Sequence, residues 1–208
     1  MSLTDWYRQR LLVRVVHAVC ATPGIARWRS RATEGLAGTV LEIGFGTGLN
    51  LPHYPTGVTR VLAIEPSDEA WALAAERIEQ APFPVERIGT DAQSIPLPDA
   101  SVDAVLSTFT LCTVPDEVRA LDEIRRVLTP GGRLHLAEHG LAPDARVARW
   151  QWRLDRWEQR LADGCHLTRD PVALLERHGF VVELRAQGYE AAATPWSYVT
   201  VATGRLRD

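Results

Sequence analysis

"VLEIGFGTG", residues 40–48, begins as an apolar strand interrupted only by Glu42 and runs directly into glycines at 44, 46 and 48. Small residues immediately after a buried strand let a ligand approach the backbone at the carboxyl end of a sheet, where nucleotides bind in open α/β folds. The spacing is G-x-G-x-G, and Leu49 stands where a dinucleotide fingerprint would carry its third glycine. No G-K-[ST] phosphate loop occurs either, so the ligand need not carry a pyrophosphate. Glu42, just before the loop, would resist a phosphate and tolerate a cationic amino-acid group.

The next acids downstream sharpen this. Glu65 ends a second apolar run, "RVLAIEP" (60–66), where a carboxylate accepts hydrogen bonds from ribose hydroxyls. Asp91 follows a third run, "FPVERIG" (83–89), where it can accept from an adenine amino group while Ala92 offers a backbone donor. Either acid alone reads equally well as a turn or helix cap. Together they describe adenosine without phosphate.

Working outward, short apolar runs alternate with helical patterns, which is the pattern of a parallel sheet covered on both faces. Further strands are expected at "SVDAVLSTFT" (101–110), "RLHLAEH" (133–139), "VVELRA" and "SYVTVATG". Helices are expected over 68–80 and 116–128, the latter with Asp122 and Arg126 paired four apart and stopped by "TPGG". A longer helix over 144–163 places Trp150, Leu154, Trp157 and Leu161 at three- and four-residue steps, with the tryptophans read as core. "DPVALLERHGF" predicts a short helix ending at Gly179, capped by Asp170 ahead of Pro171.

At 208 residues, with 46% hydrophobic and 24% charged residues, the chain suits one ordinary globular domain rather than disorder. The net charge of −3 hides a basic start: residues 1–31 hold six arginines against one acid, leaving −8 for the rest. "LLVRVVHAVCA" (11–21) forms an amphipathic helix, with Leu11, Leu12, Val15, Val16 and Val19 on one side and Arg10, Arg14 and His17 on the other. It is about half the roughly 20 residues a spanning helix needs, and lacks the cleavage site of a secretory signal. Packing over the domain is the expected role, and attachment to a membrane surface the alternative. No reader module accompanies the basic residues, so nucleic acid is not an expected partner. Three widely spaced cysteines, Cys20, Cys112 and Cys165, fit free thiols in a reducing compartment, with the cytoplasm as default.

"VLEIGFGTG", "AIEPS", "DAQSIPLPDASVDAV" and "RRVLTPGGRL", in that order, resemble the class I S-adenosylmethionine-dependent methyltransferases, in particular the group called methyltransferase type 11. The resemblance runs from about Val40 to the end of the chain, with residues 1–36 as an amino-terminal helical segment and 37–208 as the methyltransferase domain. It implies a Rossmann-like, doubly wound seven-stranded α/β sheet with its last strand antiparallel and an amino-terminal helical cover. It also implies S-adenosylmethionine lying across Gly44, Gly46, Gly48, Glu65, Asp91 and Ala92, with Thr108 reaching its amino or carboxylate group. "STFTLCTVPD", "AEHGLAPD" and "DGCHLTRD" are similar to segments of bacterial proteins labelled phospholipid or quinone methyltransferases and of mammalian alkyl-thiol methyltransferases.

A small, fairly apolar acceptor is therefore expected, a thiol among the possibilities. The alternatives are a phospholipid or quinone headgroup at a membrane surface, or a cofactor-binding protein without catalysis. Methyl transfer from a sulfonium needs a nucleophile held about 3 to 3.5 Å from the methyl carbon and no covalent enzyme intermediate, so the Cys165–His166 pair is not required as a nucleophile and its base. His139, at the carboxyl end of the fifth strand, and His166 are the candidates for acceptor contact or general base. Either can equally be a hydrogen-bonded structural histidine. Cys112 reads as a small buried filler. The cysteines and histidines match no recognised zinc spacing, so no metal site is expected.

Overall fold

In a computed structural model described over residues 11–162 and 164–207, the chain runs α1 (Val13–Cys20), α2 (Pro23–Thr33), β1 (Gly38–Ile43), β2 (Val58–Ile64), α3 (Asp68–Leu73), α4 (Ala75–Glu79), β3 (Val85–Gly89), β4 (Val102–Thr108), α5 (Glu117–Val127), β5 (Leu128–His139), α6 (Ala145–Leu161), α7 (Pro171–Arg177), β6 (Phe180–Tyr189) and β7 (Tyr198–Leu206). Arg10, placed above on the polar side of the first helix, and residue 163, the last of the helix expected over 144–163, lie outside the described residues.

The seven strands order as β3-β2-β1-β4-β5-β7-β6, and β7 runs antiparallel to both β5 and β6. The chain order reverses between β1 and β4, which opens a crevice at their carboxyl ends. Alternation along β1 explains why both faces of the sheet are covered. Leu41 and Ile43 join Leu62, Ile64, Val105, Leu134 and Leu136 in a core beneath α5 and α7, while Val40 joins Val61, Ala63, Ala104 and Leu106 on the opposite face. That second core also takes Ala32 from α2 and Leu36, so α2 packs onto the sheet.

Several elements depart from the pattern expected. A second helix not anticipated in the sequence begins at Pro23, just after α1 ends, where proline's fixed φ and missing N–H suit the first turn. The helix over 68–80 divides at Ala74 into α3 and α4. β5 starts at Leu128, pairing with Val102, and a register shift carries "TPGG" before Ala104 meets Arg133. Arg126 pairs with Glu123 at 2.7 Å and Asp99 at 2.9 Å rather than with Asp122, and its guanidinium also donates to the Ile95 and Leu97 carbonyls. It thereby pins the loop between β3 and β4.

The tryptophans of α6 are not core. Trp150, Trp152 and Trp157 are all about half exposed or more, and the helix buries only Val147 and Gln151. Gln151 anchors it instead, donating to the Gly140 and Pro195 carbonyls at 3.0 Å and accepting from Ala142 N at 2.9 Å. Arg153 stacks over Trp150, and Arg156 and Arg160 over Trp157, so these rings are covered by cations rather than by apolar neighbours. No described helix is long and apolar enough to cross a membrane.

Candidate active site

The glycine loop turns at the end of β1, where Gly44 N and Phe45 N both donate to Ile64 O at 2.9 and 3.2 Å. Gly44 and Gly46 have φ of +69° and +57°, left-handed values that favour glycine. A side chain at Gly44 would collide with Thr110, whereas the space beside Gly46 is open. Gly48 serves packing: a Cβ there would meet Leu51, Ala74 and Phe45. Glu65 holds the loop to β2. Its two carboxylate oxygens accept from Gly46 N at 2.6 Å and Ser67 N at 2.7 Å, and burial pushes its carboxyl up against those bonds and the Arg87 charge.

Behind the loop lies a buried polar network that ties β1, β4 and α2 together. Glu42 is fully buried and accepts from Tyr54 Oη at 2.6 Å and Asn50 Nδ2 at 2.7 Å. Burial raises its carboxyl to about 7, although Tyr54, Asn50 and the Arg29 charge all favour the ionised form. Asn50 passes the network to Thr108 at 2.9 Å, and Arg29 donates to both Asn50 Oδ1 at 3.0 Å and Thr108 Oγ1 at 2.8 Å. Arg29 is itself buried, and its Nε has no hydrogen-bond partner.

The loop after β4 is set by Glu138, the residue before His139. Its buried carboxylate accepts from Ser107 Oγ at 2.7 Å, Thr110 N and Leu111 N at 3.0 Å, and Cys112 N at 3.4 Å. These bonds overdetermine the turn and hold Phe109 at φ +56°, a left-handed value rare for a bulky residue. The Phe109 ring lies under Arg29, 5.3 Å from its guanidinium carbon, and 4.9 Å from the His139 ring.

These segments surround a cavity of about 250 Å³ at the switch point between β1 and β4. Of the residues singled out in the sequence, Gly44, Gly46, Glu65 and Thr108 line it. Glu42, Gly48, Asp91, Ala92, His139 and His166 are not among its lining residues. Asp91 is exposed beyond β3, and its carboxylate is held low by accepting from the Gln93 backbone and side chain. Arg29, Phe109, Thr47, Cys20 and His17 also line the cavity, and no motif marks any of the five as a site residue in the sequence. The roof is α1 with the residue before it: Leu12, Val13, Val16, His17 and Cys20 line the cavity. His17 Nδ1 meets Thr47 Oγ1 at 2.8 Å and Arg14 meets Glu69 at 3.0 Å, so the roof is fastened to the glycine loop and to α3. Val15, Val16 and Val19 of this helix and Leu11 ahead of it are exposed, which departs from the expectation of an apolar side packed over the domain.

Residues 164–170 lie in the turn from α6 to α7, as expected, with Gly164 at φ +89° and Asp170 capping Val172 N and Ala173 N at 3.0 Å. Arg169 reaches back to the loop after β4, donating to Leu111 O and to Val114 O at 2.9 Å and pairing with Glu117 at 3.0 Å. His166 is engaged by Gln159 at 3.0 Å and sits 3.7 Å from Asp155, and burial lowers its pKa. The fold also brings Cys165 to Cys112, sulfur to sulfur 3.7 Å, with His139 alongside. Their shared hydrogen bond raises the Cys112 thiol and lowers that of Cys165, which His139 lowers further against burial.

Residues 41–136 match the sequence profile of a family described as methyltransferase domain. The chain belongs to that family. Human thiol S-methyltransferase TMT1A is 35% identical over 166 residues, covering 77% of this chain and 66% of the relative. Phosphatidylethanolamine N-methyltransferase from Cereibacter sphaeroides is 35% identical over 126 residues, 60% of this chain and 62% of the relative. The chain thus spans about two thirds or less of the length of these curated relatives. Among solved structures, an S-adenosylmethionine-dependent methyltransferase from Thermotoga maritima, titled a possible histamine N-methyltransferase, superposes with a TM-score of 0.66 at 19% identity, covering 97% of this chain and 98% of that one. At that identity the likeness speaks to the fold alone.

The family implies S-adenosylmethionine as cofactor, and the residues around the cavity fit it. Gly46 leaves open space beside its backbone, Glu65 keeps a second lone pair on each oxygen for hydroxyl donors, and the orphaned Arg29 Nε is a buried donor awaiting an acceptor.

Proposed function

We propose that the chain transfers the methyl group of S-adenosylmethionine to a small, fairly apolar acceptor, with an alkyl thiol as first choice. The observation that carries this reading is the chemistry around one cavity, with the Glu65 carboxylate at the end of β2, buried Arg29 and Thr108 at the end of β4, and the apolar residues Leu12, Val13 and Val16 at and just before α1 above. When bound, the cofactor supplies a sulfonium methyl carbon as the electrophile. Glu65 accepts from the ribose hydroxyls, Gly44 and Gly46 allow close approach of the backbone, and Asp91 with Ala92 receives the adenine. Arg29 and Thr108 hold the amino-acid end, and Glu42 and Gly48 act indirectly, by fixing Asn50 and the loop. The apolar roof excludes water and favours an apolar acceptor.

A thiol with a pKa of about 8.5 brings its own thiolate fraction near neutral pH, so no protein base has to line the cavity. His139, packed on Phe109, and His166 then act by positioning the acceptor side rather than by moving a proton. The relatives named for thiol S-methylation support this choice of acceptor.

A second reading, methylation of a phospholipid or quinone headgroup by a chain resting on a membrane surface, is favoured by the exposed apolar residues of α1 and by the relative named for phosphatidylethanolamine. The test is S-adenosylhomocysteine release with alkyl thiols, amines, phenols and phospholipid vesicles. Turnover of alkyl thiols supports the first reading. Turnover of vesicles alone replaces it with the second, and S-adenosylhomocysteine from none of them, with cofactor bound, overturns both in favour of a non-catalytic binder.

A further inference from the structure

Cys112, His139 and Cys165 come from three segments: the loop after β4, the carboxyl end of β5 and the turn after α6. Their ligand atoms all lie within 4.8 Å of one another, and the two sulfurs are 3.7 Å apart. Two thiolates on a tetrahedral Zn²⁺, each about 2.3 Å from the ion, stand roughly 3.8 Å apart. The sulfur pair is already at ligand spacing, and the imidazole needs a shift on the order of 1 Å to join it.

The ligands are also held by the surrounding backbone. Cys112 N is bonded to the buried Glu138 carboxylate, and Cys112 O accepts from His166 N at 2.8 Å. Cys165 N donates to Ala162 O at 3.1 Å, and the His139 ring rests on Phe109. A site whose ligand positions are preset by buried hydrogen bonds needs little ordering on metal binding.

We propose that Cys112, His139 and Cys165 form a binding site for one soft divalent ion, Zn²⁺, with water in the fourth position. Two sulfurs and one imidazole are the donor set of zinc rather than of magnesium or calcium, which take oxygen. Binding takes both sulfurs as thiolates and releases to solvent the protons they still carry. The site stands apart from the cofactor residues and does not depend on methyl transfer. It has a consequence for the cavity, because Phe109 and Thr113, which flank the Cys112 segment, line it. An ion there clamps that wall to the turn between α6 and α7, and holds the His139 ring against Phe109, so that His139 positions the acceptor side as a metal ligand.

The test uses the full chain, reduced with a phosphine, stripped of metal by a chelator and titrated with Co²⁺. The expected result is a thiolate-to-cobalt charge-transfer band with tetrahedral-type visible bands, saturating at one ion per chain and displaced by Zn²⁺. Cys112→Ser and Cys165→Ser should each abolish the charge-transfer band at one equivalent, and Cys20→Ser should keep it. The wild-type titration needs no variant, so a poorly folding variant leaves the test intact. Absence of the band in the reduced wild-type chain, or its persistence in both Cys112→Ser and Cys165→Ser, overturns the proposal.

Discussion

Replacing Glu42 by glutamine should change how stability depends on pH more than it changes the fold. Glu42 is fully buried, and burial lifts its carboxyl from 4.5 to about 7. Below pH 4.5 the group is protonated in both the folded and the unfolded chain and contributes no difference. As pH rises, the unfolded chain loses its proton first, so stability falls until the folded group also ionises near 7, and the penalty is constant above that. The shift of about 2.5 units corresponds to ~3 kcal/mol at about 1.4 kcal/mol per unit. Glutamine keeps the shape and polar contacts of the neutral acid toward Asn50 and Tyr54 but cannot ionise. Urea unfolding of both proteins from pH 4.5 to 8 is the assay. The stability difference should move in favour of Glu42→Gln by about 3 kcal/mol across that range and level off above pH 7. Parallel curves for the two proteins would mean that Glu42 titrates normally in the folded chain and would refute the reasoning.

Arg29→Leu removes the cation that favours ionised Glu42, so the pH-dependent loss of stability should extend above pH 7; it should also cost about 1–3 kcal/mol from leaving Asn50 and Thr108 without their buried donor, read in the same unfolding curves. Asp170→Ala, which deletes the cap of α7, should lower stability by about 1 kcal/mol without altering cofactor affinity, checked by unfolding and calorimetry together. His17→Ala frees the roof from Thr47 and should speed cofactor dissociation in stopped-flow displacement, whereas an unchanged rate would mean that α1 does not gate the cavity.

The strand and glycine pattern was legible because it is local: apolar residues from Val40 to Ile43 must be buried, and glycine after a buried strand has few other uses. Glu65 was readable for the same reason, as an acid at a strand end beside that loop. Glu42 reads in the sequence as facing the ligand, yet it turns to Asn50 and Tyr54, a choice set by residues 8 and 12 positions away that carry no periodic signal. Arg29 lay in a stretch read only as basic, and its burial depends on Thr108, 79 residues later. Glu138 reads in the sequence only as part of a strand, and its role at the Thr110–Cys112 turn follows from the pairing of β4 with β5. The exposed tryptophans of α6 show periodicity failing in the other direction, since a helix can repeat large apolar residues and still bury chiefly a glutamine. Cys112, His139 and Cys165 match no linear metal spacing because three different elements supply them.

Calorimetric titration of the purified chain with S-adenosylmethionine tests the central claim most directly. One site per chain is expected, with affinity reduced roughly 10- to 100-fold in Glu65→Ala, whose lost carboxylate bonds are worth about 1.5–3 kcal/mol. Absence of binding, or equal affinity in Glu65→Ala, would contradict the account.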